Sequence, residues 1–147
     1  MKIEDIMTRN PITVKKTDSL TTLLRILARK KITGCPVVDA RNNIVGVVGH
    51  TDVLKFIDVH SKINAGGFSP FVSALIKKGS IDTKKLKNAC VKDFFTEGAV
   101  TVGHDEDVYK AARIMSKNSI NRLPVVKNRK LVGIVTKTDI IRVLQKA

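Results

Sequence analysis

The chain has 147 residues, 43% hydrophobic and 27% charged, the composition of an ordinary globular domain long enough to bury a core. No apolar run approaches the roughly 20 residues of a membrane span, and Met1-Lys2-Ile3-Glu4-Asp5 lacks the apolar stretch of a secretory signal, so a cytoplasmic protein is expected. The net charge of +14 points to anionic partners, among them nucleotides, nucleic acid or an acidic protein.

In chain order, Ile12-Thr13-Val14 reads as a short β-branched strand. Thr17-Asp18-Ser19 then offers N-cap oxygens to a helix whose apolar positions, Leu20, Leu23, Leu24 and Leu27, recur at helical spacing. That helix should end near Lys31, where β-branched residues and a proline follow. Pro36-Val37-Val38 reads as a strand, Asp39–Asn43 as a polar turn, and Ile44–Val48 as an apolar strand covered on both faces. Thr51-Asp52 is expected to cap a last helix carrying Leu54, Phe56 and Ile57.

Residues 58–90 are long for a connection. Ser69-Pro70 should open a short helix over Phe71–Ile76 that stops at Gly79, with Phe68 and Phe71 packed under the rest of the chain or against a second copy. From residue 91 the grammar starts again. Thr101-Val102 matches Thr13-Val14, Arg113-Ile114 matches Arg25-Ile26, and Pro124-Val125-Val126 matches Pro36-Val37-Val38. Asp105 or Asp107 caps a helix with Val108, Ala111, Ala112 and Met115; Leu131–Val135 is the covered strand; Thr138-Asp139 caps Ile141, Val143 and Leu144. The chain is therefore a duplicated β-α-β-β-α unit, divided as residues 1–57, an insert 58–90, and 91–147. Each unit is too small to bury much surface alone, so an α/β (α+β) fold is expected, with two sheets packed about a pseudo-two-fold axis.

The repeat resembles the CBS domain, which usually occurs as a tandem pair, the Bateman module, and the chain is similar to stand-alone archaeal and bacterial proteins of this kind. The resemblance rests on Gly34-Cys-Pro-Val-Val-Asp39 with Gly46-Val-Val-Gly-His-Thr-Asp52, and on Arg122-Leu-Pro-Val-Val126 with Gly133-Ile-Val-Thr-Lys-Thr-Asp139. It implies two clefts between the copies, each suited to an adenosine compound such as AMP, ADP, ATP or S-adenosylmethionine. In this family the aspartate that ends the second phrase holds the ribose hydroxyls. Carried over, one cleft would use Ile134, Thr136, Thr138 and Asp139 with Thr8, Ile12, Ile32, Thr33 and Gly34. The other would use Val47, Gly49, Thr51 and Asp52 with Thr96, Val100, Ile120, Asn121 and Arg122. Asn121-Arg122 falls where nucleotide-binding members place a basic pair for phosphate. The resemblance also implies a homodimer and a regulated protein partner.

The chemistry fits those residue types. A carboxylate can accept two hydrogen bonds from a vicinal diol, and an arginine fork matches a phosphate. Copy one departs from the pattern: Gly49 replaces Thr136, and Thr33-Gly34 replaces Asn121-Arg122. The clefts should fill unequally, with the Asp139 cleft favoured for its complete ribose side.

Other chemistry is weakly supported. His50, His60 and His104 have no metal or nucleophile partner at recognisable spacing, and Gly46-Val-Val-Gly49 lacks the lysine ending of a phosphate loop. No catalytic group, metal or resident cofactor is therefore expected. Cys35 and Cys90 read as reduced thiols. The competing function is nucleic-acid binding through the basic surface, helped by Lys84-Lys85-Leu86-Lys87. Against it, residues 3–57, 58–90 and 91–144 each net +4, so the charge is spread and not gathered in one arm.

Overall fold

The computed structural model describes residues 1–60 and 88–146. The expected helix at 71–76, Phe68, Phe71 and the lysine run at 84–87 lie outside the described residues. A 3-10 turn over Ile3–Asp5 leads to β1 (Thr8–Arg9), β2 (Val14–Lys15), α1 (Leu20–Lys30), β3 (Gly34–Val38), β4 (Ile44–Gly49) and α2 (His50–His60). After a second 3-10 turn, Val91–Asp93, come β5 (Thr96–Glu97), β6 (Val102–Gly103), α3 (Val108–Asn118), β7 (Arg122–Lys127), β8 (Lys130–Thr136) and α4 (Lys137–Gln145).

The first helix of each copy forms as its sequence predicts. Ser19 caps α1 by accepting from the Thr22 amide, and Asp107 caps α3 by accepting from the Tyr109 amide. Their apolar stripes, Leu20, Leu23 and Leu27 or Val108, Ala111 and Met115, are buried. Both helices stop on a residue in the left-handed region, Lys31 (φ 53°) and Ser119 (φ 52°).

The last helices start earlier than expected. Thr51-Asp52 and Thr138-Asp139 do not stand at the cap; they are the second and third residues of α2 and α4. In α4 the cap is Thr136, whose side chain accepts from the Asp139 amide while the Asp139 carboxylate accepts from the Thr136 amide. This reciprocal box satisfies two amides that a helix start leaves without partners.

The larger departure concerns the strands. The expected strand at Ile12–Val14 is reduced to Val14–Lys15, and an unexpected pair, Thr8–Arg9, forms β1. Asn10 lies between them with φ 50°, and Gly98, its counterpart in the second copy, has φ 70°. This left-handed kink ends one strand and aims the chain at another sheet.

That redirection exchanges strands between the copies. One sheet has the order β1-β8-β7-β6, the other β2-β3-β4-β5. Thus β1 of the first copy pairs antiparallel with β8 of the second, Thr8 opposite Ile134. Reciprocally, β5 of the second copy pairs with β4 of the first, Thr96 opposite Val47. Inside each sheet the pairing repeats down to its irregularity: the register shifts between Val37 and Val38 in β3, and between Val125 and Val126 in β7.

The cores are exchanged too. Ile3 is fully buried among Val102, Ala111, Met115, Leu123 and Val135 of the second copy. Ala89 and Val91 are buried among Val14, Leu23, Val37 and Val48 of the first. Phe94 adds a tilted ring contact with Phe56, centroids 5.1 Å apart. The 39–43 turn of the first copy grips the second: Asn42 Nδ2 donates to the Leu131 carbonyl at 3.0 Å, and Lys130 Nζ to the Arg41 carbonyl at 2.7 Å. The Asp39 carboxylate holds that turn by accepting from the Asn43 and Arg41 amides, bonds that keep its pKa below the ordinary value.

Because Ile3 completes a core far along the chain, Ile3→Ala should destabilise by about 2–5 kcal/mol. Urea unfolding would read that loss. Amide exchange should quicken in α3 of the second copy more than in α1.

Candidate functional site

The exchange of β1 brings the start of the chain beside the end of β8, and a cavity of about 530 Å³ opens between the copies there. Its walls hold Thr8, Ile12, Ile32, Thr33, Gly34, Ile134 and Thr136, all expected in one cleft. Asn10, Pro11, Lys31, Pro36 and Arg122 join them. The first four adjoin expected residues in sequence or in the Pro-Val-Val phrase, and a wider window around the motifs would have found them. Thr138 and Asp139 are not on the wall. They stand behind Thr136 at the start of α4.

Asp139 is held in place by that threonine. Its Oδ2 accepts from the Thr136 amide at 2.8 Å and from the Thr136 hydroxyl at 2.7 Å. Its Oδ1 faces the Arg142 guanidinium at 3.8 Å, too far for a hydrogen bond but an ion pair within α4. The side chain is 16% exposed, so an oxygen can still meet a ligand.

The walls carry two cations, Lys31 and Arg122, and no carboxylate. Arg122 comes from the second copy, where it was expected to serve the Asp52 cleft. The structure turns it the other way: its Nη2 donates to Thr33 Oγ1 of the first copy. Gly34 lies beside it. A Cβ there would lie 2.8 Å from the Val48 carbonyl, which keeps the position to glycine, and 2.6 Å from Arg122 Nη1, so the guanidinium lies in the space a side chain would take. Gly34 and Arg122 are counterparts in the repeat, which places one cation in a space the two copies share. Burial pushes the Arg122 pKa below its ordinary value, yet a guanidinium stays charged at neutral pH. Neighbouring Cys35 is buried, and desolvation, partly offset by Arg122, raises its thiol to about 11.

The residues expected around Asp52 are arranged differently. Asp52 Oδ2 accepts from the Gly49 amide at 2.9 Å, and Oδ1 accepts from the Thr96 hydroxyl of the other copy at 2.8 Å. Val47 pairs with Thr96 in the sheet. Thr51 is exposed on α2, Ile120 packs on the second core, and the Asn121 carbonyl accepts from the Lys137 amide at 3.0 Å. Val100 opens onto a separate hollow of about 560 Å³ shared with Tyr109, Lys110 and Arg113. Among the described residues no three His, Cys, Asp or Glu side chains gather to hold a metal ion. No described helix is long and apolar enough to cross a membrane.

Among known proteins, an uncharacterized protein of Methanocaldococcus jannaschii is 32% identical over 98% of this chain and 91% of its own length. Other relatives are longer: the chain covers 40% and 42% of two further uncharacterized M. jannaschii proteins, and 24% of a homoserine O-acetyltransferase of Methanohalobium evestigatum. Among solved structures, CBSX2 in complex with AMP superposes with a TM-score of 0.75 at 28% identity, covering 99% of this chain and 96% of that one. The CBS domain pair of protein MJ0100, in complex with 5'-methylthioadenosine and S-adenosyl-L-methionine, gives a TM-score of 0.71 at 26% identity, covering 99% and 97%. The CBS domain family model matches residues 3–59 and again 91–146, the same two stretches that exchange strands, and on that ground the chain belongs to the CBS domain family as a tandem pair.

Proposed function

We propose that this chain is a regulatory ligand-sensing module that takes an adenosine nucleotide in the Asp139-side cavity and performs no chemistry of its own. The observation that carries the reading is the 530 Å³ cavity between the copies, which combines apolar walls, two cations and Thr136, the wall residue hydrogen-bonded to the Asp139 carboxylate behind it. In that cavity adenine lies against Ile12, Ile32 and Ile134, and the ribose diol reaches Asp139 Oδ1 beside Thr136. The phosphate meets Arg122 and Lys31. Related pairs crystallised with AMP, or with 5'-methylthioadenosine and S-adenosyl-L-methionine, support the adenosine class. Within that class the two cations favour a nucleoside phosphate over a sulfonium compound, whose positive charge they would repel.

The matched region is a fraction of several longer relatives, enzymes among them, which supports a sensing role that leaves catalysis to another polypeptide or domain. Leu24 and Leu54, 39% and 42% exposed, flank an apolar hollow of about 480 Å³ between α1 and α2. Ile141 and Leu144 on α4 are 63% and 49% exposed. Apolar surface on helices of both copies supports a homodimer, with a separate regulated protein as the recipient of the signal.

Calorimetric titration with AMP, ADP, ATP and S-adenosylmethionine tests the reading, and failure of all four to bind at millimolar concentration overturns it. Asp139→Ala should weaken nucleotide binding about 5- to 150-fold, the loss of one or two charge-assisted hydrogen bonds.

Arg122→Leu tests the phosphate assignment. It should weaken AMP binding about 10-fold or more while changing adenosine binding far less. An equal loss for both ligands would remove Arg122 from the phosphate.

A further inference from the structure

The two aspartates that the repeat makes equivalent are not in equivalent states. Asp139 draws its hydrogen bonds from its own copy: the Thr136 amide and hydroxyl both serve Oδ2, and no donor from the first copy reaches it among the described residues. Asp52 cannot do the same, because Gly49 stands where Thr136 stands and offers an amide without a hydroxyl. The missing donor comes from across the copies. Thr96 on β5 hydrogen-bonds Asp52 Oδ1 at 2.8 Å, while the backbone around it is fixed by the pairing of Val47 with Thr96. Its counterpart on β1, Thr8, makes no such bond and lines the open cavity instead.

We infer that Thr96 and Asp52 form a latch between the copies that occupies the second adenosine position, so that the chain takes one nucleotide and not two. The inference rests on the reading above, that the aspartate of each cleft receives the ribose. A diol arriving at Asp52 meets an oxygen that already accepts from the Thr96 hydroxyl, and has to compete with that donor for it. The exchange of one charge-assisted hydrogen bond for another leaves little net gain, whereas Asp139 Oδ1 accepts no hydrogen bond from the described residues and faces only the Arg142 guanidinium, 3.8 Å away. Gly49 is thus the residue that makes a symmetric pair into a single-site protein.

Thr96→Val keeps the β-branched shape that suits a strand and removes only the hydroxyl. Titrated with AMP, the natural chain should bind one equivalent, and Thr96→Val should bind two, with second-site affinity raised about 10-fold or more. Adding Asp52→Ala to Thr96→Val should return the stoichiometry to one. Two equivalents of similar affinity in the natural chain, or one equivalent in Thr96→Val, would overturn the latch. A ligand-free double-mutant cycle of Thr96→Val and Asp52→Ala judges it separately, through urea unfolding. The two changes should couple by about 2-fold or more in the unfolding equilibrium constant, and strict additivity overturns the latch. Absence of AMP binding in every variant counts against the nucleotide reading, while the cycle still decides the latch.

Discussion

The structure depends on one exchange: each copy closes the other's core. Ile3 and Val91 precede the strands of their own copies, yet each is fully buried in the opposite core. A β-α-β-β-α unit of this size would leave one sheet edge and one end of its core open to water. The reciprocal two-residue strands β1 and β5 cover the edge, and the 3-10 turns before them plug the core. Neither copy is a separable folding unit in this arrangement, although the sequence repeat runs cleanly from end to end.

On this symmetric frame two glycines create the asymmetry that function can use. Gly34 lies against Arg122, its counterpart in the repeat, whose guanidinium lines one cavity beside Thr33. Gly49 replaces a threonine, and its missing hydroxyl leaves Asp52 to bond Thr96 across the copies. Both effects act through what the other copy supplies. Duplication fixes where the backbone goes; small departures from it decide which cavity Arg122 lines and which aspartate bonds across the copies.

Much of this was legible in the sequence, and the failures have physical reasons. The helices α1 and α3 were readable because apolar spacing and a capping oxygen are local signals that tertiary packing here reinforces. Residues Thr8, Ile12, Ile32, Thr33, Gly34, Ile134 and Thr136 could be grouped because the resemblance to the CBS domain implies which residues of the two copies share a cleft. The exchanged strands were not readable: Thr8-Arg9 has no alternation, and its pairing is set by the kink at Asn10 and by a partner near the end of the chain. The caps were displaced because an aspartate three residues into a helix can serve the start of that helix as well as an aspartate on it. Arg122 was expected beside Asp52 and lines the Asp139-side cavity, where it meets Thr33 of the other copy, a contact that no pattern within residues 91–147 contains.

The interlock also limits how a bound nucleotide could act. Rigid tilting of one copy against the other would break the β1–β8 and β4–β5 pairings and the grip of Asn42 and Lys130 on the opposite copy. A ligand shifts an equilibrium only by its differential affinity for two states, and a tilt that broke those pairings would draw on it at roughly 0.5–1.5 kcal/mol for each hydrogen bond lost. The smaller movement is local. Thr136 is both a wall of the cavity and the cap of α4, and Asp139 is bonded to it, so a ligand there bears directly on the start of a helix whose Ile141 and Leu144 face outward. On the proposed function, that route would carry occupancy to the seating of α4 and the apolar surface it bears, with the sheets left in register.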